Sequence, residues 1–273
     1  MKKIWFAGIL LIVAWSCSTT HPYKASNKKY KKQAADMSRI LRSQPHTPLL
    51  SDSMKQPQKW VGTVNFGLRK PSYVIIHHTA QESCEKTLQT FTQSKSQVSA
   101  HYVICKDGTL HHQLNDYLRA WHAGKSRWGN EQDINSASIG IEIDNNGKDT
   151  FTLAQMDVLM SLLAHLKKTY SIPAANFIGH SDIAPRRKVD PNVHFPWKQL
   201  ADSGYGKWWG DTSKTIVSAG FEPKMALRII GYNISDEAAA TEAFRRHFTG
   251  VNAPGPLSDA EKKILYSLME KFL

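Results

Sequence analysis

Cysteine is scarce in this sequence, three among 273 residues, which excludes a small scaffold held by disulfides in place of a hydrophobic core. Long apolar runs are missing too. The most apolar stretch, residues 4–15, is about 12 residues long, short of the roughly 20 that carry a helix across a bilayer. No internal repeat is present, which excludes a solenoid or propeller. Nor is there an RNA-binding signature, a zinc-finger spacing or a basic recognition helix, so nucleic acid is not expected as a partner. The formal net charge of +12 suits polyanions in general, anionic membrane and carboxylate-rich cell wall included. What remains is ordinary globular material. With 41% hydrophobic and 21% charged residues, a chain of this length can bury one full core and still carry a small second module.

The first residues read as an address. Lys2 and Lys3 precede the apolar run, as the charged and apolar regions of a secretory signal do. The run closes on Ala14-Trp15-Ser16-Cys17, which resembles the lipobox of bacterial lipoproteins, with Trp15 standing where that box has a small residue. The resemblance implies a signal peptide over 1–17 and lipidation of Cys17. Ser18, rather than an aspartate, follows, so the same resemblance implies an outer-membrane anchor facing the periplasm. An ordinary cleaved signal with an incidental cysteine is the alternative. Residues 18–55 are rich in Lys, Ser, Gln and Pro, with little apolar periodicity, and read as a flexible basic tether. Its cluster of Lys24, Lys28, Lys29, Lys31 and Lys32 also suits anionic lipid or cell wall. In an exported chain Cys84 and Cys105 can form a bridge or stay as buried thiols, and spacing leaves both open.

Periodicity organises the rest. Residues 73–76 read as a buried strand that ends in polar His77-His78-Thr79. A short helix is expected over 87–97, and a hairpin joins 101–105 to 109–113 through Lys106-Asp107-Gly108. A strand is expected over 138–143, then a long helix capped by Thr152 and Gln155, with Met156, Leu159, Leu163, Leu166 and Tyr170 as its apolar stripe. A short strand follows at 176–179. This alternation predicts an α/β domain over 56–210, a mixed central β-sheet flanked by helices. From 211 to 273 the pattern predicts a small helical bundle, with runs at 213–219, 224–230, 236–248 and 259–272. The last run starts from a capping box of Ser258 and Glu261, and Gly220 and Gly231 sit where helices end.

Nine of the 12 histidines fall between His77 and His194, which suggests a metal site. His77 and His180 each follow a strand, where a sheet holds functional residues rigidly beneath open loops. Taken alone, His77 reads more readily as a hydrogen-bonded structural histidine. Pro191 biases Asp190 toward extended geometry, and residues two apart in an extended chain face the same way, so Lys188 and Asp190 are expected to point together. Two imidazoles and one carboxylate make an open zinc site with a fourth position for water. Glu142 is a charged residue in an otherwise apolar strand, where an unused carboxylate costs several kcal/mol. It reads as the general base or acid, and Lys188 as the group that stabilises the oxyanion.

Five ordered segments carry a resemblance: Ile76-His77-His78-Thr79-Ala80, Val98-Ser99-Ala100-His101, Arg119-Ala120-Trp121-His122-Ala123-Gly124, Ser138-Ile139-Gly140-Ile141-Glu142 and Gly179-His180-Ser181-Asp182-Ile183-Ala184-Pro185. Together they resemble the zinc N-acetylmuramoyl-L-alanine amidases, which share a fold with animal peptidoglycan recognition proteins. The resemblance implies Zn2+ held by His77, His180 and Asp190, with Glu142 and Lys188 catalytic. It also implies Trp121, His122 and Arg187 as substrate contacts, and His101 as structural or supporting. Peptidoglycan or a muropeptide is the implied substrate, a monomer is expected, and the C-terminal helices read as a wall-binding module or a packing appendage. Two other functions fit parts of the sequence. A non-catalytic peptidoglycan-binding lipoprotein would not need the full ligand set. A glycosidase using Glu142 and Asp144 would leave the histidines unexplained, although that pair could share a face at the ~5 Å a retaining enzyme needs.

Overall fold

The computed structural model describes residues 22–42, 63–65 and 67–273; the expected signal peptide and Cys17 lie outside them. Within the segment read as a flexible tether, Lys24–Arg42 forms helix α1. Lys, Ala, Gln, Met, Leu and Arg are good helix formers, and Asp36 pairs along the helix with Lys32 at 2.8 Å and Arg39 at 2.9 Å. α1 buries none of its residues. This is a basic helix that the sparse periodicity did not announce.

Residues 65–273 form a second compact unit. Its sheet contains β1 (Tyr73–His78), β2 (Tyr102–Ile104), β3 (Leu110–His112), β4 (Ser138–Ile143) and β5 (Phe177–Gly179) in the order β3-β2-β4-β1-β5. β2, β4, β1 and β5 run parallel and β3 pairs antiparallel at one edge, the mixed sheet expected. The helices are α2 (Cys84–Thr92), α3 (Ile134–Ala137), α4 (Leu153–Tyr170), α5 (His180–Ile183), α6 (Trp197–Asp202), α7 (Pro223–Ile230), α8 (Glu237–Thr249) and α9 (Asp259–Met269). Cys84 opens α2 and Cys105 follows β2; their Cα atoms lie 5.3 Å apart and the pair is bridged.

Alternate residues of a strand bury opposite faces. Val74, Ile76, Ile139, Ile141 and Ile143 pack with Leu159, Leu163 and Leu166 of α4, each buried leucine contributing roughly 2 kcal/mol. The α4 capping box forms as expected: Thr152 Oγ1 accepts from Gln155 N at 3.1 Å and Gln155 Oε1 accepts from Thr152 N at 3.0 Å. The other face, carrying Ile75 and Ile178, packs with Ile183 of α5, Leu227 and Ile230 of α7, Phe244 of α8, and Leu265 and Leu268 of α9. The C-terminal helices are thus the second layer of the same sandwich, and they share one core with the sheet. Residues 213–219 are not helical: Thr215, Ile216 and Val217 are β-branched in succession and disfavour so short a helix. Gly220 therefore caps nothing, whereas Gly231 ends α7 at φ 132°.

Candidate metal centre

Strands β1, β4 and β5 end along one edge, where functional residues of parallel sheets collect. Their register pairs His77 with Glu142, so both side chains lie on the sheet face covered by the C-terminal helices. His78 faces the other way, and its Nδ1 accepts a hydrogen bond from Asn192 N at 3.1 Å. The ambiguity between adjacent histidines is thereby resolved by strand alternation. β5 delivers His180 to the same edge as the first residue of α5.

Three donor atoms converge there. His77 Nδ1 lies 2.9 Å from His180 Nδ1 and 3.1 Å from Asp190 Oδ2, and His180 Nδ1 lies 3.0 Å from Asp190 Oδ2. All three residues are buried. A tetrahedral ion with bonds of about 2.0–2.1 Å needs donor–donor edges of about 3.3 Å, so a few tenths of an ångström separate this triangle from a ligating one. The donor set is borderline-soft nitrogen with one carboxylate, which suits zinc.

Ring protonation follows from counting donors and acceptors. The Ile134 carbonyl can only accept, and it takes the Ser138 hydroxyl proton at 2.5 Å. Ser138 Oγ then accepts from His122 Nε2 at 3.1 Å, and His122 Nδ1 accepts from His77 Nε2 at 3.0 Å. That leaves the His77 Nδ1 lone pair facing Asp190 and His180. His180 Nε2 donates to Ala123 O at 3.3 Å, which frees its Nδ1 in the same way. Burial, and then the neighbouring His180, push the His77 imidazole down to about 4, so it is neutral and able to ligate. Burial works against ionisation of Asp190, but its close contacts with His180 and His77 outweigh that and hold its carboxyl well below the usual carboxylate range.

Glu142 stands beside this triangle on β4. Burial, reinforced by the Asp190 charge and opposed by Lys188, pushes its carboxyl up to about 8. Its Oε2 is buried without a hydrogen-bond partner among the described residues, a costly arrangement for a purely structural residue. The Lys188 ammonium adds positive charge in the surroundings of both Glu142 and His77.

The three expected substrate contacts separate. Trp121 is 48% exposed. His122 is buried behind His77, as its bonds require, rather than open to a groove. Arg187 Nη2 donates to Ala123 O at 3.3 Å and to Lys125 O, bracing the loop that carries them. His101 supports the sheet, as expected: its Nδ1 accepts from Gly140 N at 3.0 Å and its Nε2 donates to Leu118 O at 3.1 Å. Sequence reasoning passed over Ser138, and over Asn135, whose Oδ1 accepts from His122 N at 3.0 Å and Ala123 N at 2.9 Å. It also passed over Asp182, which like Ser138 sits inside a quoted segment.

Residues 67–193 match the family model described as N-acetylmuramoyl-L-alanine amidase. The chain is 30% identical over 230 residues to N-acetylmuramoyl-L-alanine amidase AmiD of Escherichia coli K12, covering 73% of this chain and 82% of that protein. A solved E. coli AmiD complex with anhydro-N-acetylmuramic acid-L-Ala-D-gamma-Glu-L-Lys superposes with a TM-score of 0.66 at 28% identity, over 77% of this chain and 93% of that one. AmpDh3 of Pseudomonas aeruginosa, in complex with anhydromuramic pentapeptide, superposes with a TM-score of 0.67 at 27% identity, over 80% and 99% of the two chains.

Proposed function

The chain belongs to the N-acetylmuramoyl-L-alanine amidase family, and from that premise we propose that it cuts the amide between muramic or 1,6-anhydro-muramic acid and L-alanine, using zinc held by His77, His180 and Asp190. The observation that carries the reading is the buried triangle of two imidazole nitrogens and a carboxylate oxygen, at 2.9–3.1 Å, beside a carboxylate oxygen without a partner.

Zinc in that triangle would supply Lewis acidity toward the scissile carbonyl and toward an attacking water. Glu142 takes the water proton on its unpartnered oxygen and hands it to the leaving amine. Lys188 offsets the negative charge that develops on the carbonyl oxygen as the carbon becomes tetrahedral. His122 and the Ala123 carbonyl hold the two imidazoles in the ligating tautomer. Trp121, half exposed, offers an aromatic face at the rim, and Arg187 adds positive charge for stem-peptide carboxylates while it braces the loop.

Digestion of purified muropeptides with and without chelator, followed by mass analysis, tests this directly. The expected products are stem peptides with a free L-alanine amino terminus and sugars without peptide. Chelator should abolish both, and added zinc should restore them. New reducing ends instead would make it a glycosidase, and full activity in metal-free protein would remove zinc from the reaction.

We further propose that lipid on Cys17 anchors the enzyme to the outer membrane, facing the periplasm, on the strength of the lipobox-like Ala14-Trp15-Ser16-Cys17 and of Ser18 after it. Cys17→Ala should move the protein from the membrane fraction to the soluble periplasm; continued retention would rule the anchor out.

A further inference from the structure

Asp182 is fully buried and has no part in the chemistry above, yet three hydrogen bonds converge on it. Gly179 N donates to its Oδ2 at 2.8 Å, His247 Nδ1 donates to the same oxygen at 2.7 Å, and the Tyr232 hydroxyl donates to Oδ1 at 2.8 Å. The first bond caps α5 from within. The other two come from the α7–α8 corner and from α8, 50 and 65 residues further along the chain.

α5 is a four-residue helix whose first residue is His180, and a single helical turn is not stable by itself. Something outside it must fix where His180 points. We propose that the C-terminal helices do this: Tyr232 and His247 are positioning residues that hold Asp182, and through it the turn carrying His180, in the ligating geometry. The inference rests on the metal-centre reading above.

The surroundings are built for such a clamp. A Cβ at Gly179 would come within 3.0 Å of Pro191 and of Trp197, and 3.1 Å of Asp182 Oδ2, so the turn is gripped from several sides. Ser181 N donates to Asp190 O at 2.8 Å, so the same anchor reaches the second ligand through the backbone. The His247 ring stacks on Trp197 with centroids 3.9 Å apart and 13° between planes, leaving it one orientation. Tyr232 meets Trp128 edge-on at 5.0 Å. It can do so because Gly231, at φ 132°, has no Cβ to run into the Trp128 ring. Corner, ring stack and carboxyl thus form one rigid connection from the second layer to the metal ligands. Loss of such outer partners typically weakens metal binding by about 10–100-fold.

The test is zinc affinity of the full chain, measured by competition with a chelating dye, alongside the melting temperature of the metal-free protein. Tyr232→Phe deletes one hydroxyl and keeps the ring against Trp128, so the fold should survive. It should bind zinc about 10-fold or more weakly and release it faster. His247→Ala should do the same, and His247→Gln, which keeps an N–H donor, should recover part of the loss. Lys224→Ala breaks an exposed ion pair with Glu237 at 3.5 Å on the same helices and should leave affinity at the wild-type value. Unchanged zinc affinity in Tyr232→Phe and His247→Ala, whatever their melting temperatures, would reduce the helices to packing and overturn the inference. A wild-type chain that holds no zinc would overturn the metal reading itself, which the same titration distinguishes.

Discussion

Gly140 shows how one missing side chain serves the site. It precedes Glu142 by two positions on β4 and faces the same side, where the His122 ring lies over it; a Cβ there would approach His122 Cγ to 2.5 Å. Gly140→Ala should therefore displace His122, at about 1–3 kcal/mol of overpacking. Because His122 accepts from His77 Nε2, zinc affinity should fall roughly 10-fold or more as well. Thermal melts and zinc titration check the two effects, and wild-type values in both would sink the account of His122. Glu142→Gln keeps the shape and removes the proton acceptor. Turnover should drop about 10²–10⁴-fold while zinc content stays at the wild-type level; retained turnover would dismiss Glu142 as the base. His77 and His180 were legible because each follows a strand inside an ordered segment, and Asp190 because Pro191 biases it toward extended geometry beside Lys188 and the family resemblance points to it. What could not be read was direction. Sequence brings His122 near the site, but only the Ser138–Ile134 chain of acceptors shows that it stands behind a ligand.

The capping boxes, whose signals are local, came out as read, whereas the helix at Lys24–Arg42 was missed and the run at 213–219 is not helical. The Ser258–Glu261 capping box forms at α9, with Ser258 Oγ accepting from Glu261 N at 3.3 Å, because all its parts lie within four residues. The same Glu261 also ties α9 to α8 through Arg245, Nε to Oε1 at 2.5 Å, with both side chains largely buried; no local pattern announces a partner 16 residues away. That pair sets an acid limit on the second layer. The Arg245 hydrogen bond, with help from Ser258, holds Glu261 down to about 2 against an ordinary 4.5. A folded-state value below the unfolded one means that the stabilisation is complete above about 4.5 and disappears as pH falls through about 2. At neutral pH it is on the order of 3 kcal/mol. Urea unfolding at stepped pH should show the wild type losing more stability between pH 4.5 and 2 than Glu261→Gln does. Parallel curves for the two proteins would show that the ion pair carries no such linkage.

At the scale of the whole molecule, the shift of pattern after Trp208-Trp209-Gly210 reads from sequence as a domain boundary. Periodicity shows that a helix has an apolar stripe; it does not show what the stripe covers. Here α7, α8 and α9 cover the sheet face carrying Ile75 and Ile178, and that face also holds His77 and Glu142. Stripping the helices away would expose Ile75, Ile178, Ile183 and the apolar residues packed on them. At roughly 2 kcal/mol for each large side chain, the loss is comparable to the ~5–15 kcal/mol that holds a typical domain folded. The catalytic layers and the C-terminal helices should therefore unfold together. Calorimetry of the metal-free chain should give one transition for residues 65–273, with calorimetric and van't Hoff enthalpies in agreement. A fragment that ends at residue 210 should lack a cooperative transition. Two resolved transitions, or a fragment that melts cooperatively by itself, would mean that the helices are a separable module and that the metal ligands are held without them.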